Sequence, residues 1–252
     1  MSEHDDRPIG KVLSRREAIL LLGSAAVLAF EAGLSRSAFA AASKAPCIIR
    51  PEQTEGPYFV DERLERSDIR SDPGTGLVCP GVPLELVIGV QQITNYKAPS
   101  CIPLVGATVD VWHCDADGVY SDEVDEDFNS RGKKFLRGFQ RTGTDGQVTF
   151  KTIYPGWYVG RTVHIHTKIR VPSTQGAGRQ FSEFTSQMYF DDAMTDAIFR
   201  LPPYSKRGER NYRNATDVVF ADGGTSLMAS LTKTTEGYRA AIDYALAPVN
   251  MS

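Results

Sequence analysis

Two histidines separated by one residue give the chain its clearest chemical signal. His164 and His166 lie in the run YPGWYVGRTVHIHTKI, whose β-branched and aromatic residues are typical of a strand. Side chains at i and i+2 point to the same face of a strand, so both imidazoles project into one space. The chain has 4 histidines, and two of them on one strand face, with Tyr158 and Arg161 just upstream, predict a metal site. The alternative is a pair of ordinary imidazoles in a core or at the surface.

The residues near this pair indicate which metal such a site would hold. No Asp or Glu lies in the run to complete a two-histidine, one-carboxylate site. Tyr154 and Tyr158 come just before the pair, and Tyr120 lies further upstream in the turn sequence WHCDADGVYS. A phenol has an ordinary pKa of about 10, and the field of a highly charged cation can hold it ionised at neutral pH. Phenolate is a hard anionic donor, so two phenolates and two imidazoles favour Fe(III). For Tyr120 alone, the alternative is a turn aromatic that caps the fold.

The pattern around these residues is typical of a β-sandwich. Short runs rich in β-branched and aromatic residues, bounded by turn signals, predict seven strands: Leu84–Val90, Thr108–His113, Val148–Ile153, His164–Val171, Phe184–Phe190, Ser226–Thr232 and Tyr238–Ala245. We therefore expect an all-β fold, an antiparallel β-sandwich over residues 81–252, with few helices and long loops such as 202–214. Residues 41–80 are rich in Pro, Gly, Asp and Arg and are expected to form an extended N-terminal arm that wraps the domain.

The first forty residues form a predicted export signal. Arg15 and Arg16 precede an apolar run at 18–30, and small residues follow as far as Ala40. Paired arginines are typical of the twin-arginine pathway, so we expect residues 1–40 to be removed and the mature protein to be exported, with the periplasm as the simplest destination. A membrane anchor is the alternative, but the run is short for a span, and no span is expected after removal. A net charge of −3 gives no reason to expect a nucleic-acid partner.

Four cysteines follow the predicted signal, and an even number in an exported protein favours disulfides. Cys79 and Cys101 bracket one apolar run and its loop, so we expect them to pair and to leave Cys47 with Cys114. A thiolate metal site is disfavoured because the chain has no C-x-x-C spacing. Buried free thiols are the remaining alternative.

These motifs, taken in order, resemble the intradiol ring-cleavage dioxygenases, which are non-haem Fe(III) enzymes that open catechols between the two hydroxyl-bearing carbons. The resemblance covers most of residues 50–246 and rests on five segments: TEGPYF (54–59), VGATVDVWHCDADGVYS (105–121), TDGQVTFKTIYPGWY (144–158), RTVHIH (161–166) and FTSQMYF (184–190). The resemblance implies four metal ligands: Tyr120, Tyr158, His164 and His166. It also implies that Arg161 and Gln187 belong to the active site, and that Tyr158 acts first as a ligand and then as a base.

The resemblance implies a catechol-type aromatic diol and O2 as substrates and a cis,cis-muconate-type diacid as product. The predicted walls of the substrate pocket are Pro57, Tyr58 and Trp157. The chain departs from the family's pattern because only five residues separate Tyr158 from His164, and because Thr162 replaces the proline that is common between the arginine and the first histidine. Which catechol is cleaved therefore stays open, as does the formation of a homo-oligomer.

Three other functions fit parts of the pattern. An exported β-sandwich that binds a ligand without catalysis would explain the fold and the cysteines, but not four ligand-type residues in motif order. A zinc or copper hydrolase or oxidase could use the two histidines. An extradiol-type Fe(II) enzyme is disfavoured, because the chain offers tyrosines where a carboxylate would be needed.

Overall fold

Two sheets pack face to face. The computed structural model describes residues 47–95, 97, 100–126, 128–172 and 181–247; the predicted signal at 1–40, the predicted arm residues 41–46 and the last five residues lie outside the described ranges. The strands are β1 (Pro83–Asn95), β2 (Ser100–Pro103), β3 (Thr108–Trp112), β4 (Arg137–Arg141), β5 (Gln147–Ile153), β6 (His164–Pro172), β7 (Phe181–Tyr189), β8 (Ser230–Lys233) and β9 (Tyr238–Leu246). One sheet contains β1, β2, β5, β8 and β9, and the other has the order β4-β3-β6-β7. The predicted β-sandwich is confirmed.

The sandwich is not purely antiparallel. Strand β1 pairs with β9 in parallel, from Leu84 opposite Tyr238 to Gln92 opposite Leu246. On its other edge β1 pairs antiparallel with β5 and β2. A parallel pair needs a long crossover connection. The chain between β7 and β8 supplies the last part of that connection, with helices α1 (Asp192–Phe199) and α2 (Val218–Ala221).

Some predicted boundaries were wrong for local reasons. Strands β2 and β4 were not predicted, because β2 has four residues and β4 begins and ends with arginine. The strand expected at Ser226–Thr232 is shorter, because Gly224–Leu227 forms a 3-10 turn before β8. The loop expected at 202–214 contains another 3-10 turn at Tyr204–Arg207. Within the described ranges, no helix has the length and apolar character needed to cross a membrane.

Strand β6 carries the core on one face and polar side chains on the other. Ile165 and Ile169 are fully buried in the apolar cluster between the two sheets. His164, His166 and Lys168 alternate with these core residues along the strand and therefore point to the outer face of the four-stranded sheet. These three polar residues are also buried, so another part of the chain covers this outer face.

The arm provides much of that cover. Its backbone hydrogen bonds reach both sheets: Gln53 N to Thr185 O (2.9 Å), Phe139 N to Leu64 O (2.8 Å) and Lys151 N to Ser67 O (2.8 Å). Ion pairs from the arm to β6 add to this: Glu55 with Lys168, and Asp61 with Arg170 at 3.1 Å. The described arm residues thus cover the outer face of the four-stranded sheet.

The disulfide prediction was wrong. Cys47 and Cys101 form the disulfide, while Cys79 and Cys114 are free thiols. Cys101 pairs with Ile93 at the end of β1, and Ile48 O accepts a hydrogen bond from Ala245 N near the end of β9. Because β1 and β9 are parallel neighbours, this brings Cys47 and Cys101 to the same end of one sheet. Closeness in sequence therefore misled the expected pairing of Cys79 with Cys101.

Candidate metal centre

Four side chains with metal-ligand chemistry converge beneath the arm. His164 Nε2 lies 3.0 Å from His166 Nε2, 3.3 Å from the Tyr158 hydroxyl and 3.5 Å from the Tyr120 hydroxyl. Tyr120, His164 and His166 are each at most 2% exposed, and Tyr158 is partly exposed. The structure thus brings together all four residues that the sequence analysis predicted as ligands.

Strand register and turn geometry explain this convergence. The β3–β6 pairing sets Trp112 opposite His166, and the indole stacks on the imidazole with centroids 4.9 Å apart and planes 8° from parallel. Tyr120 follows β3 through a turn in which the Asp115 carboxylate accepts from Val119 N at 3.0 Å. Gly156 packs on the same turn, since a Cβ there would lie 2.3 Å from the Asp115 carbonyl oxygen. These contacts hold the Tyr120 turn in shape and pack the segment before Tyr158 against it.

The hydrogen bonds of His164 fix its tautomer. Its Nδ1 donates to the carbonyl of Thr162 at 2.7 Å, which leaves the lone pair of Nε2 facing the convergence point. Burial, with help from Arg161, lowers the pKa of His164 to about 3. Burial and the neighbouring His164 also lower the pKa of His166 well below its usual value. Both imidazoles are therefore neutral, which is the form that binds metal ions.

The two phenols need a cation before they ionise. Burial raises the pKa of Tyr158 to about 12, although Arg161 acts in the opposite direction, and burial raises the pKa of Tyr120 well above its ordinary range. A bound cation of high charge would reverse this balance. In the part of the chain that the structure describes, no group of three or more His, Cys, Asp or Glu could hold a metal. The candidate metal donors at this site are therefore histidine nitrogens and tyrosine oxygens.

The three separations from His164 Nε2 fit donors that share a single ion. Two donors bound to one metal at about 2.1 Å, with angles near 90–110°, are about 3.0–3.4 Å apart. The separations of 3.0, 3.3 and 3.5 Å from His164 Nε2 span nearly the same interval. Two neutral nitrogens and two ionisable phenol oxygens suit a hard trivalent cation, so these residues fit the Fe(III) implied by the motifs.

A partly buried guanidinium adjoins the four donors. Arg161 Nη1 lies 3.5 Å from His164 Nε2, and its Nη2 donates to Gln187 Oε1 at 2.6 Å. Its Nε donates to the Asp217 carboxylate at 2.9 Å. Burial opposes the charge of Arg161, but Tyr158 and Asp217 outweigh burial and raise its pKa. The arginine is therefore a fixed positive charge beside the donors, and Gln187 lies opposite His166 in the β6–β7 register.

Two of the predicted pocket walls lie on the arm. The Tyr58 ring stacks on Tyr120 with centroids 4.4 Å apart, and its hydroxyl donates to the Asp125 carboxylate. Pro57 is exposed in the adjoining turn. Just before it, Gly56 has a φ of +72°, and a Cβ there would lie 3.3 Å from His166 Cε1. The arm backbone thus lies close to one candidate ligand, and Tyr58 covers another.

Trp157, the third predicted wall, is placed differently. Its ring belongs to the main core cluster and is capped by the Arg207 guanidinium at 4.7 Å. Tyr58 and Tyr158 pack instead against the smaller cluster of Trp112, Cys114 and Tyr120. The role of Trp157 as a substrate contact stays a prediction.

Comparison with known proteins sets this geometry in a family. The chain matches the family model Dioxygenase_C, described as dioxygenase, over residues 54–205, which is more than half of its length. An intradiol ring-cleavage dioxygenase from Tetranychus urticae is similar in structure, with a TM-score of 0.67 and 29% identity, covering 82% of this chain and 98% of that one. The chain belongs to the intradiol dioxygenase family.

Two further relatives show how far the likeness extends. The dioxygenase domain of a dioxygenase–carbohydrate-binding fusion from Streptomyces sp. SirexAA-E has a TM-score of 0.52 and 30% identity, covering 79% of this chain and 99% of that domain. A chlorocatechol 1,2-dioxygenase from Cupriavidus pinatubonensis is 28% identical in an alignment of 171 residues that covers 56% of each protein. The chain therefore matches only about half the length of this curated relative.

The sequence analysis missed Asp217, which lies beside the candidate metal centre. Asp217 is 2% exposed and contacts Arg161 from 56 positions away. The only local signal for Asp217 is an acidic residue before a short apolar run, which is a helix start. Nothing in that signal could have predicted its contact with the arginine.

Proposed function

We propose that this protein is an Fe(III)-dependent intradiol dioxygenase that cleaves a catechol-type aromatic diol with O2. Both oxygen atoms enter the product, a cis,cis-muconate-type diacid. The observation that carries the proposal is the convergence of two imidazole nitrogens and two phenol oxygens beside a fixed guanidinium. The family match and the catechol-type substrate in the name of the Cupriavidus relative support it.

Four residues of this chain would hold the metal. We assign His164 and His166 as neutral ligands and Tyr120 and Tyr158 as phenolate ligands. Fe(III), when bound, would supply the positive charge that ionises the phenols and the diol and makes the aromatic ring reactive towards O2.

The two tyrosines have different roles in this proposal. Tyr120 is buried, stacked under Tyr58, and its carbonyl accepts a hydrogen bond from the Ser130 hydroxyl at 2.5 Å. Tyr158 is partly exposed and is followed by the exposed Val159. Tyr158 is therefore the phenol that can move and accept a proton from the incoming diol, while Tyr120 stays in place.

Arg161 would act on the substrate, and Gln187 would hold Arg161 in place. The guanidinium of Arg161 is held in place by Asp217 and Gln187, so it can stabilise negative charge as it develops on the ring without reorganising. Gln187 Nε2 donates a hydrogen bond to the Thr54 carbonyl at 2.8 Å, so the Gln187 amide aligns the arginine with the arm.

The decisive test is oxygen uptake by the purified, iron-loaded protein across a panel of catechols. We expect a red-brown protein, from phenolate-to-iron charge transfer, and a diacid that carries two heavy atoms when the gas is ¹⁸O2. A protein that lacks the red-brown colour and contains zinc or copper would support a hydrolase or oxidase instead. A protein that binds catechols without consuming oxygen would support the binding module.

We also propose export through the twin-arginine pathway. The Cys47–Cys101 disulfide supports this, because disulfides persist mainly in oxidising compartments. Cell fractionation of the full chain should find the mature protein outside the cytoplasm, and the double change Arg15→Lys with Arg16→Lys should retain it inside. Equal export of both forms would contradict the assignment.

A further inference from the structure

The Asp217 carboxylate accepts hydrogen bonds from both Arg161 and Thr162, which lie just before His164 in the chain. Its Oδ2 accepts from Arg161 Nε at 2.9 Å and from the backbone N of Thr162 at 2.7 Å. Its Oδ1 accepts from Val219 N at 2.7 Å and from Phe220 N at 2.9 Å, which caps helix α2. One buried carboxylate thus holds the arginine, the segment before β6 and the start of a helix.

Thr162 carries this connection to His164. Its carbonyl accepts from His164 Nδ1 at 2.7 Å, and its hydroxyl donates to Asn214 Oδ1 at 2.7 Å. The residue is 2% exposed, so its amide, carbonyl and hydroxyl are all fixed by hydrogen bonds. The orientation of the His164 ring therefore depends on a residue that Asp217 holds by its N–H.

A glutamine on the arm secures the other end of helix α2. Gln53 Nε2 donates to the carbonyls of Val219 at 2.8 Å and Asp222 at 2.6 Å. The Tyr189 hydroxyl donates to Gln53 Oε1 at 2.7 Å. Helix α2 is thus held at both ends, and its position fixes the Asp217 carboxylate.

We propose that Asp217 is a positioning residue that aligns Arg161 and, through Thr162, the imidazole of His164. This inference rests on the proposed function, since it takes His164 as a metal ligand. The arrangement requires an N–H at position 162, and Thr162 supplies it. Proline, the residue common at this point in the family's pattern, has no N–H to donate.

A role confined to folding would have a different signature. Asn and Ser are both good helix caps, so Asp217→Asn and Asp217→Ser keep a capping side chain while they remove the charge that holds Arg161. A matched control is Asp196→Asn, which removes a carboxylate on helix α1 that pairs with Arg210 and Arg213. The thermal midpoint of each variant reports the fold separately from the site.

The experiment measures ferric affinity by chelator competition, the charge-transfer band, and kcat with KM. Changes to groups that orient metal ligands typically cost 10–100-fold in affinity or activity. We expect Asp217→Asn and Asp217→Ser to lose about 10–100-fold in ferric affinity and in kcat, with a shifted band. Asp196→Asn should resemble the wild type in all three.

The outcomes separate this inference from the proposed function. If the wild type binds ferric ion and turns over, but both Asp217 variants keep their affinity, band and kcat, Asp217 has no positioning role. Loss of the folded state in both variants would assign Asp217 to the fold alone and would also overturn the inference. If the wild type itself neither binds ferric ion nor consumes oxygen, the proposed function fails, and the inference fails with it.

Discussion

Two sets of buried histidines in this protein differ in how their ring nitrogens are used. His113 follows β3 and lies on the core side, where its Nδ1 donates to the Cys114 carbonyl at 2.8 Å and its Nε2 accepts from the Thr152 hydroxyl at 2.7 Å. His164 and His166 lie on the outer face, and their Nε2 atoms face each other at 3.0 Å. His166 Nδ1 is buried without a hydrogen-bond partner among the described residues.

The comparison shows that burial alone does not identify a metal ligand. Burial lowers the pKa values of all three histidines, so each is a neutral imidazole. What differs is the set of partners. Both ring nitrogens of His113 bond to fixed protein groups, whereas the Nε2 atoms of the β6 pair face each other and His164 Nε2 also faces the two phenols. Mutations that act on one set and spare the other test this distinction.

The largest expected effect comes from removing one β6 imidazole. His164→Ala deletes a proposed ligand, so ferric affinity should fall by more than the roughly 100-fold that changes around a ligand cost. The control is His113→Gln, which should lower the free energy of unfolding by about 1–3 kcal/mol through lost buried hydrogen bonds yet retain iron. Chelator competition and urea unfolding measure the two effects. Equal iron loss in both variants would remove the distinction.

A second effect separates two tyrosines that lie four positions apart. Tyr158→Phe should shift or remove the charge-transfer band and lower kcat by on the order of 100-fold or more, because it removes a proposed ligand and base. Tyr154 is a core residue whose hydroxyl contacts Thr195 at 2.7 Å. Tyr154→Phe should therefore cost about 1 kcal/mol of stability and leave the band unchanged. Visible spectra with steady-state rates decide, and an unchanged band in Tyr158→Phe would contradict its assignment.

A third effect tests how the close approach of the arm at Gly56 constrains His166. Gly56→Ala adds a Cβ at a φ of +72° and 3.3 Å from His166 Cε1, so it should weaken ferric affinity several-fold and cost about 1–2 kcal/mol in backbone strain. Gly132→Ala is a close control, because Gly132 has a φ of +79° and a Cβ there meets nothing within 4 Å. Gly132→Ala should share the strain and keep the affinity. Equal affinities in the two variants would show that the arm does not constrain the site.

The strand-borne half of the site was predictable, and the half held by tertiary contacts was not. The alternation of β6 places His164 and His166 on one face, and motif order placed Tyr120 and Tyr158 nearby. The contact of Asp217 with Arg161 depends on how a four-residue helix returns to the site. The Cys47–Cys101 disulfide depends on the parallel pairing of β1 with β9. Neither contact leaves a periodic signal in the sequence.

The smallest effect is a pH dependence of stability that belongs to His113. Burial lowers its pKa to about 4, whereas an unfolded histidine titrates near 6.5. Between these values the unfolded state binds a proton that the native state does not, so the free energy of unfolding falls as the pH falls from about 6.5 towards 4. One proton contributes a slope of at most about 1.4 kcal/mol per pH unit.

His113→Gln removes this contribution, so the variant should lose stability less steeply on acidification than the wild type. Both metal-free proteins keep His164 and His166, and the contributions of that pair cancel in the difference. Urea unfolding at pH 7, 6 and 5 should show the stability gap between the two proteins narrowing as the pH falls. A gap that stays constant would mean that His113 takes up a proton in the native state as readily as in the unfolded chain. Its hydrogen bonds to Cys114 and Thr152 would then not be those of a permanently neutral ring.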